Sequence, residues 1–294
     1  MGVSLRTWLV GLADRFEQAQ LSFGHTTDNA WDEAVALSLG ALQWPDDSSL
    51  LDKTLTATQL EDLEQLAVQR INDRVPLPLL LGRAQFAGLE FLTAPNVMIP
   101  RSPIAELVRG RFHPWLSKAP MRVLDVCCGG GCIGISIADE FANTDVVISD
   151  VDEAALLLAA KNVELHGMQE RVQVLHSDIY AQLQGQTFDL IVSNPPYVPT
   201  AESDLRPPEF MHEPGLAYDG GADGLVFVRK LLAGANALLS ETGLLVIEVG
   251  QWRDEVEATW PRVPFVWPEL VQGGEGVLVL EAGVVAEHTA RSGW

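Results

Sequence analysis

The chain has 294 residues, 47% hydrophobic and 20% charged, which suits one large domain or two ordinary ones and excludes a disordered chain. A formal net charge of −21 leaves no general basic face for tracking phosphates, so free DNA is disfavoured as a partner, while basic proteins are drawn to such a surface. No apolar run nears the ~18 residues that span a bilayer and the first residues lack signal-peptide order, so a soluble, cytoplasmic protein without membrane association is expected.

Residues 1 to 80 read as a helical domain. Leu5, Trp8, Leu9, Leu12 and Phe16 recur at the spacing of one helix face. A second helix is expected after Thr27-Asp28, carrying Trp31, Val35, Leu39 and Leu42 as far as Trp44-Pro45. A third begins near Thr56, with Leu60, Leu63, Leu66, Ala67 and Ile71 inward, and ends at Pro76 and Pro78. Residues 81–101 change character: Gln85 to Phe91 places apolar positions around Gly88 as a short hairpin does, and Asn96 to Pro100 reads as another short extended piece. This stretch is a connector.

Residues 102–294 form the third part, and from Met121 strand and helix alternate. Arg122 to Val126 is a buried strand running into Gly129-Gly130-Gly131 and a helix through Ile135 and Ile137. Val146 to Ser149 is a strand ended by Asp150, and a helix through Leu156, Leu157, Ala160 and Val163 follows. Val172 to Leu175 precedes Asp178, and Phe188 to Val192 precedes Asn194. Val226 to Leu239 is helical, Gly243 to Val249 is a strand, and Val263 to Val266 with Gly276 to Leu280 predicts a closing hairpin. Such alternation predicts a parallel, doubly wound α/β sheet, whose ligands sit at the carboxyl ends of the strands. The turns after Val126, Ile148, Leu175 and Val192 then share one rim.

Cys127, Cys128 and Cys132 are the only cysteines. An odd, tightly spaced set is no disulfide framework and fits a reducing compartment. Without paired arms or a nearby histidine it predicts no metal site.

Gly129, Gly131 and Gly134 fit G-x-G-x-x-G between strand and helix, a spacing that nicotinamide enzymes share. Asp125 favours a different cofactor: a carboxylate there crowds a pyrophosphate but can meet the ammonium of a methionine moiety. Asp150, at the next strand end, can accept from both ribose hydroxyls, and Asp178, at the third, from an adenine amine. Together these predict S-adenosyl-L-methionine, with S-adenosyl-L-homocysteine as product.

Ser193-Asn194-Pro195-Pro196-Tyr197 discriminates most sharply. Two prolines stop strand pairing and leave a stiff turn with free carbonyls. The Asn194 side-chain oxygen and the Pro195 carbonyl can take the two N–H bonds of a planar nitrogen, and Tyr197 can cover its face. Positioning then supplies the catalysis, with no strong base. The acceptor suits an amide, with an exocyclic amine of a flipped base as the rival. Charge, and the lack of a basic reading domain, weigh against the base; a dehydrogenase leaves Asn194 to Tyr197 without a role. Two further features stay open: the glycine-rich loop Tyr218 to Gly224, as lid or surface loop, and Glu248, as site residue or rim cap.

The sequence resembles the glutamine N5-methyltransferases that modify translation proteins. The resemblance runs through Phe23-Gly24-His25, Thr27 to Ala34, Ile99 to Leu107, the glycine loop, Asn194 to Tyr197 and His212-Glu213-Pro214. The release-factor branch usually carries Pro-Arg-Pro-Glu-Thr-Glu where this chain has Pro100-Arg101-Ser102-Pro103-Ile104-Ala105-Glu106. That segment, with Asp28 to Trp31, resembles the branch acting on large-subunit ribosomal protein L-three, a basic partner that fits the acidic charge. The resemblance implies a Rossmann-like catalytic domain, a helical domain that recognises the protein substrate, and a glutamine amide gripped by Asn194 and the Pro195 carbonyl. It implies cofactor contacts from the loop holding Cys128, Gly129 and Gly131. Cys128 and Gly130 stand where the family commonly has Thr and Ser, and Thr26 where it has Gly; Gly129 and Gly131 are intact.

Overall fold

The computed structural model describes residues 2–271, 273–291 and 294. The chain forms two compact units. One contains residues 1–84, 93–95 and 206–213; the other contains 85–92, 96–205 and 214–294.

The first unit is helical: α1 (Leu5–Gln18), α2 (Ala30–Leu42), α3 (Ala57–Asn72) and the short α4 (Leu77–Leu81). Ser4 caps α1, Asn29 caps α2, and Thr56 with Gln59 forms a reciprocal capping box on α3. Leu5, Leu9, Leu12 and Phe16 meet Ala34, Leu37, Leu63 and Ala67 in one core. The second helix turns a different face inward from the expected one. It buries Ala30, Glu33, Ala34, Leu37 and Ser38, while Trp31 is exposed. A polar residue at Glu33 hid that face from an apolar pattern. Its partner explains the burial: Glu33 pairs with Arg70, which is itself 1% exposed on α3. Pro76 and Pro78 do not simply end the third helix, because proline is tolerated in the first turn and α4 starts there.

The segment 206–213, assigned on a linear reading to the catalytic part, folds with these helices. Glu209 accepts from Arg70 (3.4 Å), Arg74 (3.1 Å) and the Ser22 amide (3.1 Å). His25 bonds Glu213 at 3.2 Å and stacks on Phe210 with ring centroids 4.2 Å apart.

Hairpin β1 (Arg83–Phe86) and β2 (Leu89–Leu92) turns at Ala87-Gly88, both at positive φ (50° and 90°). Asn96 to Pro100 forms no strand. The second unit continues through α5 (Ile104–Arg109), β3 (Arg122–Val126), α6 (Cys132–Glu140), β4 (Asp145–Asp150), α7 (Glu153–Leu165), β5 (Val172–His176) and β6 (Phe188–Ser193). It ends with α8 (Thr200–Ser203), α9 (Val226–Ala235), β7 (Leu239–Glu248), α10 (Arg253–Thr259), β8 (Val277–Glu281) and α11 (Ala282–Ala290).

Six strands make the sheet, in the order β5-β4-β3-β6-β7-β8, with β8 alone antiparallel to its neighbour. The expected closing hairpin shrinks to a single bridge between Val266 and Val279, since Val263-Pro264 lies in a turn. Alternate strand residues feed two cores: Val123, Ile148, Val192 and Val246 on one face, Leu124, Val147, Ile191 and Leu245 on the other. Strand register positions the site. Val126 lies opposite Ser149 and Ser193, and Ser149 opposite Leu175, so four parallel strands end level.

Candidate active site

The level strand ends open onto a cavity, the kind of concave site at strand ends in which small molecules bind. Its lining includes Cys127, Cys128 and Gly129 after β3, Asp150 and Asp152 after β4, Ser177 and Asp178 after β5, and Asn194 and Pro196 after β6. Pro100 and Arg101 add a wall, and Leu216, Ala217 and Phe227 an apolar side.

The turn after β3 is built by backbone contacts. Cys127 stands at φ 59°, left-handed for a residue with a side chain, and Ile179 across the cavity is at φ 51°. Such strain in a β-branched residue needs its surroundings to hold it, and it gathers at functional sites. The Asp150 carboxylate holds the turn from the neighbouring strand. One oxygen accepts from the Gly129 amide at 2.9 Å, the other from the Asp152 amide at 3.0 Å. Burial pushes this carboxyl up, against those backbone donors. Each oxygen keeps a lone pair for a ligand hydroxyl.

Gly134 is the third glycine of the fingerprint, and its role is packing. A Cβ there would lie 2.3 Å from the Ile148 Cγ2 and 3.1 Å from the Asp125 Cβ, so α6 presses on the strands only without one. Gly131 begins that helix at φ 82° and does not line the cavity.

Asp125, expected to meet a ligand ammonium, lies behind the cavity lining. Its carboxylate is fully buried and does not line the cavity. One oxygen accepts from the Gly134 amide at 2.8 Å; the other has no hydrogen-bond partner among the described residues. Burial, with the Asp150 charge adding to it, raises the carboxyl to about 7.

The Asn-Pro-Pro-Tyr segment divides in the same way. Asn194 and Pro196 line the cavity; Pro195 is buried. Asn194 Nδ2 donates to the Arg101 carbonyl at 3.5 Å. Tyr197 lies outside the lining, its hydroxyl donating to Glu248 at 2.9 Å. Ser102 donates to the other Glu248 oxygen at 2.5 Å. Burial raises Glu248 to about 7 despite these two hydroxyls and the Arg101 charge. An acid closing the apolar strand Leu244 to Ile247 was the visible signal for this contact; its partner, 51 positions away, was not.

The loop Tyr218 to Gly224 runs along the segment after Tyr197. The Val198 amide donates to the Tyr218 carbonyl at 2.9 Å, and the Gly220 amide to the Val198 carbonyl at 2.8 Å. At Gly224 (φ 75°) a Cβ would lie 2.4 Å from the Tyr197 carbonyl oxygen, so only glycine permits this approach. His212 and Glu213 do not join the cavity, whereas Pro214 does. The three cysteines all line it as free thiols. Among the described residues no His/Cys/Asp/Glu group is arranged to hold a metal.

A glycine turn, acidic strand ends and Asn-Pro-Pro-Tyr around one rim define an α/β domain of the methyltransferase class. The Methyltransferase small domain family matches residues 113–211. The catalytic domain of hMettl16, solved with a MAT2A 3'UTR hairpin, shares the fold: TM-score 0.51, 15% identity, over 83% of this chain and 91% of that one. The chain belongs to the ribosomal protein uL3 glutamine methyltransferase family. A relative of that name from Francisella tularensis subsp. tularensis is 40% identical over 88% of this chain and 83% of its own. Another, from Xylella fastidiosa, is 42% identical over 95% and 90%.

Proposed function

We propose that this protein transfers a methyl group from S-adenosyl-L-methionine to the side-chain N5 of a glutamine in ribosomal protein uL3, the L-three protein, in the cytoplasm. The observation that carries the reading is that Asn194 opens onto the same cavity as Asp150 and Asp178, at the level ends of parallel strands. Family membership supports the substrate, and so does a net charge of −21 against a basic ribosomal protein.

The lining fits the methyl donor. Asp150 takes the ribose hydroxyls, Asp178 the adenine amine, and Cys128 with Gly129 forms the floor beneath. Gly131 and Asp125 support that floor from behind. The bound donor supplies an electrophilic methyl group on a sulfonium. Asn194 Oδ1 and the Pro195 carbonyl accept the two N–H groups of the glutamine amide and aim its nitrogen into the cavity. Its lone pair is delocalised, so orientation and a preformed dipolar environment are the protein's contribution. The nitrogen loses its proton after alkylation, when that proton is acidic, and needs no strong base. Tyr197, held by Glu248, stiffens the turn that presents these acceptors.

The test is transfer of labelled methyl to uL3, a release factor and DNA side by side, with a uL3 variant lacking the acceptor glutamine. Label in uL3 that depends on that glutamine is expected. Label only in the release factor would move the enzyme to the other branch, and label only in DNA would overturn a protein substrate.

A further inference from the structure

The turn that presents Asn194 has little backbone support of its own. Strand pairing on β6 stops at Ser193, opposite Ile247 of β7, and the two prolines beyond it bring no amide to a ladder. The wall formed by residues 96 to 103 is neither strand nor helix. Asn194 Nδ2 reaches the Arg101 carbonyl of that wall at 3.5 Å, the outer limit of a hydrogen bond. The contact matters for the chemistry: with the NH₂ of Asn194 turned to a carbonyl, Oδ1 faces away from it as the acceptor. A small shift of either segment would lose it.

The strand end beside them is fixed. Glu248, the last residue of β7, pairs with Val277 of β8, and the Val249 amide after it donates to the Gly276 carbonyl at 2.6 Å. From this anchor one carboxylate reaches both unpaired segments. Oε1 accepts from the Tyr197 hydroxyl at 2.9 Å and Oε2 from the Ser102 hydroxyl at 2.5 Å. Both hydroxyls are held in turn. Ser102 Oγ also accepts from the Ile104 amide at 3.1 Å, and the Tyr197 ring packs on Gly250, where a Cβ would lie 2.8 Å from its Cε2. The contacts close a ring: Asn194 to Arg101, Ser102 to Glu248, Glu248 to Tyr197, and back along the turn. A carboxylate enclosed to 5% exposure is costly where an apolar residue would serve to pack a strand end. We infer that Glu248 is a positioning residue for methyl transfer, bracing the Asn194 turn against the Ser102 wall with the Ser102 and Tyr197 hydroxyls as its two arms. The inference rests on the proposed reaction and adds to it the device that keeps Asn194 aimed.

Steady-state methylation of uL3 by the whole protein tests the brace, using Ser102→Ala and Tyr197→Phe, which each remove one oxygen atom, and the double variant. Each single change is expected to lower kcat by about tenfold, since a small misplacement of a reacting group costs that much or more. The double variant should fall no more than about threefold below either, because cutting one arm already frees the turn. KM for uL3 and calorimetric affinity for S-adenosyl-L-homocysteine should stay within about threefold of wild type, which also reports that the variants are folded. Glu248→Gln keeps one acceptor oxygen and loses the charge, so its kcat should match the single variants. Losses that multiply in the double variant would overturn the inference, as would wild-type kcat in Ser102→Ala or a loss carried by KM instead of kcat. A wild type that transferred no methyl to uL3 would instead remove the proposed function, and with it the reaction that the brace serves.

Discussion

Asp125→Asn isolates one buried charge behind the cavity lining. Burial, and secondarily Asp150, raises the Asp125 carboxyl from its ordinary 3.8 to about 7. At 1.36 kcal/mol per pH unit, that displacement corresponds to about 4 kcal/mol held against the ionised folded form. The sign follows from proton counting. Between pH 4 and 7 the folded chain keeps a proton that the unfolded chain has lost, so stability falls as pH rises through this window and levels off above it. Glu248, also raised to about 7, contributes in the same direction. Asparagine removes only the Asp125 part. Its carbonyl can still accept from the Gly134 amide, whereas its NH₂ group occupies the place of the partnerless oxygen and costs about 1–3 kcal/mol. The expected balance is a variant more stable than wild type by about 1–3 kcal/mol at pH 8. It should be less stable than wild type at pH 4. Urea titrations at pH 4, 6 and 8 measure both. An Asp125→Asn protein with the wild-type pH dependence, or one less stable at pH 8, would refute the argument.

Three other perturbations address separate parts of the molecule. Asn194→Ala should lower kcat by about a hundredfold or more, as loss of a preorganised polar contact does, with S-adenosyl-L-homocysteine affinity held within a few-fold; normal turnover removes Asn194 from the mechanism. Asp150→Ala takes away the acceptor for the Gly129 amide and the acceptor proposed for the ribose, so calorimetric affinity should drop by about tenfold or more. Unchanged affinity would put the ribose elsewhere. Arg70→Ala leaves Glu33 buried without its counter-charge and Glu209 with Arg74 alone, and should destabilise the helical unit by about 3–5 kcal/mol. A midpoint of thermal unfolding close to wild type would show that these charges are accommodated by other means.

The order of strands and helices beyond Met121 is written locally, in apolar runs closed by polar residues, and the level rim at Cys127, Asp150, Asp178 and Asn194 follows from parallel topology. That much was legible. Three kinds of information were not. Helix faces with buried charge defeat an apolar pattern, as Glu33 and Arg70 do. Depth is not encoded in spacing: Asp125 and Asp150 both stand near strand ends, yet only Asp150 lines the cavity. Partners distant in sequence, such as Tyr197 with Glu248 or Arg70 with Glu209, exist only once the chain has folded.

The path of the chain between its two units bears on what a domain means in this protein. Residues 206–213 fold with the helices, but 96–205 and 214–294 on either side belong to the other unit, as do 85–92. A cut at residue 84 therefore does not yield two self-sufficient pieces. The fragment lacking the helices would retain Glu209 and Glu213, two carboxylates normally enclosed by Arg70, Arg74 and His25, and would have to hydrate them. The helices would keep Glu33 against the buried Arg70 but lose Glu209, its second acid. Removing or exchanging the helical unit as a cassette requires exchanging the eight-residue return segment with it. The helical unit is thus written in separated stretches of sequence that must change together.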